Sequence, residues 1–480
     1  MTEKGLSKTE YKKLEKKLTR KRRHAWLQLS DGERKEIFEY AEEYKEFLNN
    51  AKTEREAVDA ISKMADDHGF VQSERTDGDA RRLIWSFRGK MCALAVLGVR
   101  PVNEGVLMIA SHIDAPRLDL KQNPLYEELD MAYLKTHYYG GIKKFQWVTR
   151  PLALHGVAIK GDGRVAYIRL GEDADDPVFT INDILPHLAY KVQAEKKTSE
   201  AVPGEKLNVI FGGNPLLGPE DMKDAVKLSI LKILNERYGI VEEDLVSAEL
   251  ELVPAGTARD VGLDRAFVGA YGHDDRSCAY AALKAVLEQQ QPDRTIMAVF
   301  LDKEEIGSEG NTGAKSKFLE LIMYDIIRRS GFKLGPDTLV RTFMNSRAIS
   351  GDVTAGVEPD YQEVHEKRND ALMGYGICLT KYTGSRGKVG ANDAHAEYVG
   401  WIRNIWNKAG VIWQTGELGK IDEGGGGTVA KYLAGYGMDV VDAGTPLLSM
   451  HSPFEVAHKA DLFMTYKAYS AFYGGDKNKR

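Results

Sequence analysis

The sequence predicts an α/β protein in which a mostly parallel sheet is sandwiched by helices and a β-rich segment is inserted into the chain. Three observations support this. Fully apolar runs at 106–110 and 296–301 have the composition of buried strands. Helical patterns alternate with such runs, as in proteins whose parallel sheet is covered on both faces. Between about 125 and 254, short strand patterns separated by turns replace that alternation.

The length and composition of the chain allow several domains. Its 480 residues are enough for two or three domains, and a hydrophobic content of 43% is enough for a sizeable core. We divide the chain into the first part of a main domain at 1–124, the inserted β-rich domain at 125–262 and the second part of the main domain at 263–480.

Charge and hydropathy argue against several functional classes. A formal net charge of −5 gives no reason to expect nucleic acid or an anionic membrane as a partner. No window approaches the roughly 20 uncharged apolar residues that a membrane span needs, and the first residues are charged where a signal peptide is apolar. We therefore expect a cytoplasmic protein. Cys92, Cys278 and Cys378 lie far apart and are expected to be buried thiols.

Local patterns predict individual elements. The capping-box pairs Ser30–Glu33 and Thr53–Glu56 each begin a helix. Two further helices are expected within the β-rich segment, at 181–191 and 220–238.

Residues 8–23 form a basic cluster in which Glu10 and Glu15 are the acidic members. Such a cluster can be an arm that binds nucleic acid or lipid, or a solvated helix face or subunit contact. We favour the second interpretation, because aromatic residues do not alternate with the charges as a surface for single strands requires.

Polar residues that can bind a metal follow the apolar strands. His112 and Asp114 come directly after the run at 106–110, a spacing that suits a metal ligand and the carboxylate that orients it. Glu304 and Glu305 follow the run at 296–301. Neighbouring side chains diverge, so one glutamate can bind a metal while the other stays free as a general base; the alternative is a solvated turn.

Five strand ends carry such residues, and they can converge because ligands gather at the carboxyl ends of parallel strands. Two imidazoles and several carboxylates suit a pair of zinc, cobalt or manganese ions. A carboxylate can bridge two ions about 3.5–4 Å apart. The residues concerned are His112, Asp274, Glu304, Glu305, Asp352 and His451, with Asp114 beside them.

Five segments, taken together and in order, resemble the aspartyl aminopeptidase and aminopeptidase I family of cocatalytic zinc exopeptidases. They are SHIDAP at 111–116, DDRSC at 274–278, DKEEIGS at 302–308, SGD at 350–352 and LLSMHS at 447–452. The resemblance implies a zinc exopeptidase-like catalytic domain in two parts, an insertion that serves in dimerisation, and a homo-oligomer, a dodecamer of dimers. It also implies hydrolysis of the N-terminal residue from peptides that have a free N-terminus.

The resemblance also implies a role for each residue. The ligands of one metal would be His112 and Asp352, those of the other Glu305 and His451, and Asp274 would bridge the two ions. Glu304 would be the general base, and Asp114 would orient His112. Asp275 competes for the bridging position; the family pattern places the bridge on the first aspartate of the pair.

Two positions depart from the family pattern. Asp352 is followed by residues 353–356, VTAG, where the family often has Ala-His-Ala, which leaves substrate recognition open. Lys191 stands where the family has a histidine that reaches a neighbouring active site, so a different contact between subunits is expected. His187 can be structural or functional. The glycines at 424–427 can be a close approach of the backbone to substrate, or a flexible loop or helix N-terminus.

Two rival functions remain. A dinuclear-metal carboxypeptidase or deacylase would need a basic clamp for a substrate carboxylate, for which Arg276, Arg347 and Lys381 are available. A non-catalytic scaffold or nucleic-acid binder would use the basic segment at 8–23. The complete set of ligands together with the free glutamate argues against the scaffold.

Overall fold

The computed structural model describes residues 6–75, 80–219, 222–333 and 335–475, and it confirms a mixed α/β protein with several sheets. Over these residues the α-helices are α1 (Lys8–Leu18), α2 (Asp31–Asn50), α3 (Glu54–Asp67), α4 (Pro186–Ala189), α5 (Thr198–Ala201), α6 (Ala225–Tyr238), α7 (His273–Leu287), α8 (Phe318–Arg329), α9 (Thr338–Met344), α10 (Ala396–Lys408), α11 (Ala430–Ala434) and α12 (Lys459–Gly474).

The strands form four sheets over the same residues. They are β1 (Val71–Gln72), β2 (Arg82–Phe87), β3 (Met91–Val96), β4 (Leu107–His112), β5 (Arg117–Glu128), β6 (Met131–Tyr139), β7 (Leu152–Ile159), β8 (Val165–Leu170), β9 (Thr180–Ile181), β10 (Val209–Gly212), β11 (Ala248–Pro254), β12 (Arg259–Val261), β13 (Phe267–Ala270), β14 (Ile296–Leu301), β15 (Arg347–Ser350), β16 (Thr354–Ala355), β17 (Ile377–Thr380), β18 (Gly384–Ser385), β19 (Trp413–Thr415), β20 (Gly425–Gly426), β21 (Asp439–Gly444), β22 (Pro446–Leu448) and β23 (Glu455–His458).

The main sheet has the order β1-β2-β3-β14-β4-β15-β21-β17-β19. Its four central strands, β14, β4, β15 and β21, run parallel, and antiparallel β3 and β17 flank them. Leu301 pairs with His112, and Ser350 pairs with Ala110. The carboxyl ends of three of these strands, β14, β4 and β15, therefore reach the same edge, where the segments with predicted ligands follow them.

Strand β4 shows how the main sheet is buried. Leu107 and Ile109 belong to one apolar cluster, which includes side chains of α2, α3, α7, α10 and α12. Met108 and Ala110 belong to a second cluster, which includes side chains of α8, α9 and α11. Because successive side chains of a strand point to opposite faces, helices pack against both faces of the main sheet.

The second sheet has the order β8-β7-β11-β5-β6-β10-β9 and shares a third apolar cluster with α6. Its strands come from residues 117–254, so it begins before residue 125. Strand β12, which lies before residue 262, pairs with β13 in the five-stranded sheet. The domain division at 125 and 262 stays a prediction.

Both helices expected within the β-rich segment begin later than predicted. The first starts at Pro186, because a residue that precedes proline is disfavoured in helical conformation, and Thr180–Ile181 is a strand. The second, α6, starts at Ala225; Glu220, its predicted first residue, lies outside the described residues.

The basic segment at 8–23 contacts its own chain. Helix α1 has no buried residue. After it, the Arg20 guanidinium lies 3.9 Å from the centre of the Trp413 ring, and Arg22 donates to the Asp370 carbonyl at 2.8 Å. These contacts agree with a structural role for the segment. The three cysteines are buried, as predicted. Within the described ranges, no helix has both the length and the apolar composition for crossing a bilayer.

Ile109→Ala should lower the free energy of unfolding by about 2–5 kcal/mol, because Ile109 is fully buried and its truncation leaves a cavity between the sheet and the helices. Denaturant titration measures this change. Val99→Ala, at a position with 58% exposure, is the control and should change stability by less than about 0.5 kcal/mol. A change of that small size for Ile109→Ala would contradict the packing described.

Candidate metal centre

The structure brings all the predicted ligands to one edge of the main sheet. His112 is the last residue of β4, and Asp352 follows β15. Asp274 lies in the first turn of α7, and Glu305 lies in a short turn after β14. His451 follows β22. The side chains of His112, Asp274 and Glu305 are at most 4% exposed, whereas that of His451 is 35% exposed.

Asp274 lies between the two histidines. Its Oδ1 is 3.0 Å from His112 Nε2, and its Oδ2 is 3.2 Å from His451 Nε2. His451 Nε2 is also 3.3 Å from Glu305 Oε2. One carboxylate thus presents one oxygen to each imidazole. Asp275 is also buried, but Asp274 makes the contacts with both histidines.

Asp114 holds two parts of the site together. Its Oδ1 is 3.2 Å from His112 Nδ1. The backbone N–H groups of Glu304 and Glu305 donate to its Oδ1 and Oδ2, each at 3.1 Å. The Asp114 backbone carbonyl also lies 3.1 Å from His112 Nδ1. The fully buried carboxylate therefore lies against the imidazole and fixes the backbone of the glutamate pair, whereas its role in orienting His112 as a ligand stays a prediction.

The two glutamates have different surroundings. Glu305 faces His451, whereas Glu304 has a carboxylate oxygen close to ligand atoms of His112 and Asp352, all within 4.8 Å of one another. Burial raises the pKa of Glu304 to about 7 and that of Glu305 well above its usual range. The distances alone would allow Glu304 to bind a metal as well as to act as a base.

The electrostatics of the cluster favour a cation. Burial raises the pKa of Asp352 well above its usual range. Burial also opposes the ionisation of Asp274, but hydrogen bonds from His112 and His451 outweigh it and lower the pKa of Asp274. Burial disfavours the imidazolium of His451, yet Asp274 and Glu305 raise its pKa to about 10. Carboxylates collected in a low-dielectric site are stabilised by a positive charge among them.

The residues present fit divalent zinc. Imidazole nitrogens and carboxylate oxygens are its usual ligands here. Buried Glu305 Oε1 has no hydrogen-bond partner within the described part of the chain, so it is available as a ligand atom. Three overlapping groups of donors lie close enough to share an ion: His112, Glu304 and Asp352; His112, Asp274 and Glu305; Asp274, Asp275 and Asp352.

Glu455 is a site residue that the sequence did not indicate. It is 1% exposed, and its two oxygens accept from the backbone N–H groups of Asp274 at 3.1 Å and His451 at 2.8 Å. It therefore fixes the backbone of Asp274 relative to that of His451. Its position four residues after His451 is the only sequence signal, and spacing does not show that its side chain turns back toward both segments.

The centre opens into a cavity of about 410 Å³, whose other wall consists of residues from 380–388 and 417–432. The glycines at 424–427 line it, and β20 pairs with β18. Gly425 has φ +122°, and a Cβ there would lie 2.3 Å from the Gly384 carbonyl oxygen. Glycine is thus required for the close approach of the two strands. Arg386, Lys420 and Lys431 also line this wall.

The cations nominated for a carboxylate clamp do not line the cavity. Arg276 is buried and donates to the Lys52 carbonyl at 3.0 Å. The Arg347 guanidinium lies 4.4 Å from the centre of the Trp401 ring. Lys381 pairs with Asp393 at 2.7 Å. His187 and Lys191, both exposed, do not line the cavity either.

Comparison with known proteins gives consistent matches. The family description "Aminopeptidase I zinc metalloprotease (M18)" matches residues 47–473. A probable M18 family aminopeptidase 1 of Clostridium acetobutylicum is 49% identical over 461 residues, which cover 95% of this chain and 98% of that protein. A probable M18 family aminopeptidase 1 of Thermotoga maritima is 50% identical over 438 residues, which cover 91% and 96%.

Solved structures share the fold. The crystal structure of an M18 family aminopeptidase from Thermotoga maritima has a TM-score of 0.91 at 48% identity, covering 95% of this chain and all of that one. Aminopeptidase I from Clostridium acetobutylicum has a TM-score of 0.88 at 45% identity, covering 95% and 99%. The S. cerevisiae mApe1 dodecamer, at 20% identity and a TM-score of 0.72, covers 90% and 96% and shows the fold alone.

Glu455→Gln should weaken zinc binding roughly tenfold, because the amide NH₂ would face one of the two backbone N–H groups that now donate to the carboxylate. Competition with a chelator measures the affinity. Glu46→Gln, at an exposed position of helix α2, is the matched control and should bind zinc as the wild type does. Unchanged zinc affinity in Glu455→Gln would show that Glu455 does not position the ligands.

Proposed function

Since the chain belongs to the aminopeptidase I zinc metalloprotease (M18) family, we propose that it removes the N-terminal residue from peptides with a dinuclear zinc site and a glutamate base. Membership of this family makes the protein a peptidase that uses zinc. What we propose beyond this is the number of zinc ions, the role of each residue, and cleavage at the N-terminal end of the peptide. The contacts of Asp274 with both histidines are the single observation that carries it.

In this proposal His112 and Asp352 would hold one zinc ion, Glu305 and His451 would hold the other, and Asp274 would be a ligand of both. The opposed oxygens of Asp274 support the bridge. The contact between His451 and Glu305 supports the second pair. The grouping of His112 with Asp352 supports the first. Cobalt or manganese would suit the same ligands.

The proposed chemistry assigns proton transfer to Glu304. Bound zinc supplies a water of lowered pKa and polarises the scissile carbonyl. Glu304 takes a proton from the attacking water and delivers it to the leaving amine. A carboxyl pKa of about 7, raised by burial, suits both transfers near neutral pH. Asp114 keeps Glu304 in place through its backbone N–H and orients His112.

We also propose that the main sheet and its helices are a zinc exopeptidase-like catalytic domain in two parts, and that the second sheet serves in dimerisation. Between β9 and β10 of that sheet, the exposed apolar side chains of Leu185, Leu188 and Tyr190 support a contact with another subunit. The S. cerevisiae mApe1 structure is that of a dodecamer, and we propose the same assembly, a dodecamer of dimers, for this chain. Light scattering that gives the mass of a monomer would refute this assembly.

A carboxypeptidase or deacylase is the second candidate function, because Arg386, Lys420 and Lys431 line the cavity and could bind a substrate carboxylate. A panel of peptides with free and with acetylated N-termini separates the two. We expect cleavage of the free peptides only. If the acetylated peptides alone are cleaved, the aminopeptidase proposal is wrong.

Glu304→Gln should lower kcat by about 10²–10⁴-fold with both zinc ions retained, because the amide cannot accept the proton. Steady-state kinetics and metal analysis measure the two effects. Glu309→Gln, on the same loop with an exposed side chain, is the control and should keep full activity. Loss of zinc from Glu304→Gln would mean that Glu304 is a ligand.

Glu305→Gln should instead lower zinc affinity at one site about 10–100-fold, because it replaces a charged ligand.

A chelator should abolish hydrolysis in the wild type, and added zinc should restore it. Hydrolysis that continues after the chelator has removed the metal would rule out a metallopeptidase.

A further inference from the structure

Residues 139–141, the last residue of β6 and the turn after it, extend from the second sheet to the candidate metal centre at the edge of the main sheet. The Tyr139 hydroxyl donates to Asp114 Oδ2 at 2.8 Å. His451 Nδ1 lies 2.9 Å from the Gly141 carbonyl oxygen, to which its N–H donates. This three-residue strip therefore reaches His451 directly and reaches His112 through Asp114.

The ring of Tyr139 packs against Arg117, which connects the second sheet to helix α3. Tyr139 is 9% exposed, and the Arg117 guanidinium lies 3.9 Å from the centre of its ring. Arg117 forms ion pairs with Glu54 of α3 at 3.4 Å and with Glu251 of β11 at 3.1 Å. The ring is thus held between the second sheet and a helix that packs on the main sheet.

The backbone of the strip comes close to the ligands themselves. Gly140 has φ +73°, and a Cβ there would lie 3.4 Å from the Cβ of Glu305 and from Pro116. A Cβ on Gly141 would lie 3.5 Å from His451 Nδ1. A larger side chain at 141 therefore crowds the imidazole.

We propose that Tyr139 and Gly141 are positioning residues that orient the two metal-binding histidines, so that the second sheet forms part of the metal centre. An acceptor at Nδ1 fixes the tautomer and the ring plane, which leaves Nε2 free to bind a metal. Gly141 supplies this acceptor for His451. Tyr139 steadies Asp114, which faces Nδ1 of His112. The inference rests on the proposed function, because it presumes that zinc binds these residues.

Tyr139→Phe in the zinc-loaded full-length protein tests the first contact. The variant keeps the ring beside Arg117 but loses the hydrogen bond to Asp114. Competition with a chelator should show one zinc ion bound about tenfold more weakly, and kcat should fall with KM little changed. Tyr138→Phe, an exposed neighbour on β6, should match the wild type. A lower melting temperature with unchanged zinc affinity would reduce Tyr139 to a merely structural role and overturn its part of the inference.

Gly141→Val tests the second contact, and it still tests whether the strip positions the histidines if Tyr139→Phe does not fold. It should lower the affinity for one zinc ion about tenfold, because the larger side chain crowds His451. Gly141→Ala places its Cβ at ordinary contact distance, so its zinc affinity should stay within about twofold of that of the wild type. Equal zinc affinity in Gly141→Val and the wild type would overturn the role of Gly141. Failure of the wild type to bind zinc or cleave free peptides would refute the proposed function instead.

Discussion

The contacts of Asp274 with two histidines are the constraint on which the rest of the site depends. A buried carboxylate must be stabilised by donors or cations, and here one imidazole faces each oxygen. The parallel centre of the main sheet supplies the geometry, because β4 and β14 end side by side in register. The carboxylates of Glu455 and Asp114 then accept hydrogen bonds from backbone N–H groups of the ligand-bearing segments and so fix the backbone on either side of the cluster.

A charged and largely buried junction connects the main sheet and the second sheet. Lys52 pairs with Glu172 at 2.5 Å, and His155 of β7 lies between Glu172 and Glu56 of α3. Together with the ion pairs of Arg117, these contacts link α3 to the second sheet. Buried ion pairs need well-defined geometry to offset their desolvation, so such a junction favours one relative placement of the two sheets. That placement carries the strip at 139–141 to the metal centre.

Much of the site could be predicted from sequence, because strand ends carry a clear local signal. His112 and Glu305 follow apolar runs, and parallel pairing places the ends of those runs together. The contacts of Tyr139 and Glu455 could not be predicted, because they join segments that lie far apart in the sequence. The strand pattern of β5 is also hard to see in the sequence, because charged residues interrupt it; Arg117, the buried one among them, is stabilised by ion pairs with Glu54 and Glu251.

Diffraction data from crystals of the zinc-loaded protein, collected on both sides of the zinc absorption edge, would locate the metal ions directly. We expect two anomalous peaks, one on each side of the Asp274 carboxylate. His112 and Asp352 should contact one peak, Glu305 and His451 the other, and Glu304 should contact neither. A single peak, a bridge made by Asp275, or direct contact of Glu304 with an ion would contradict this arrangement.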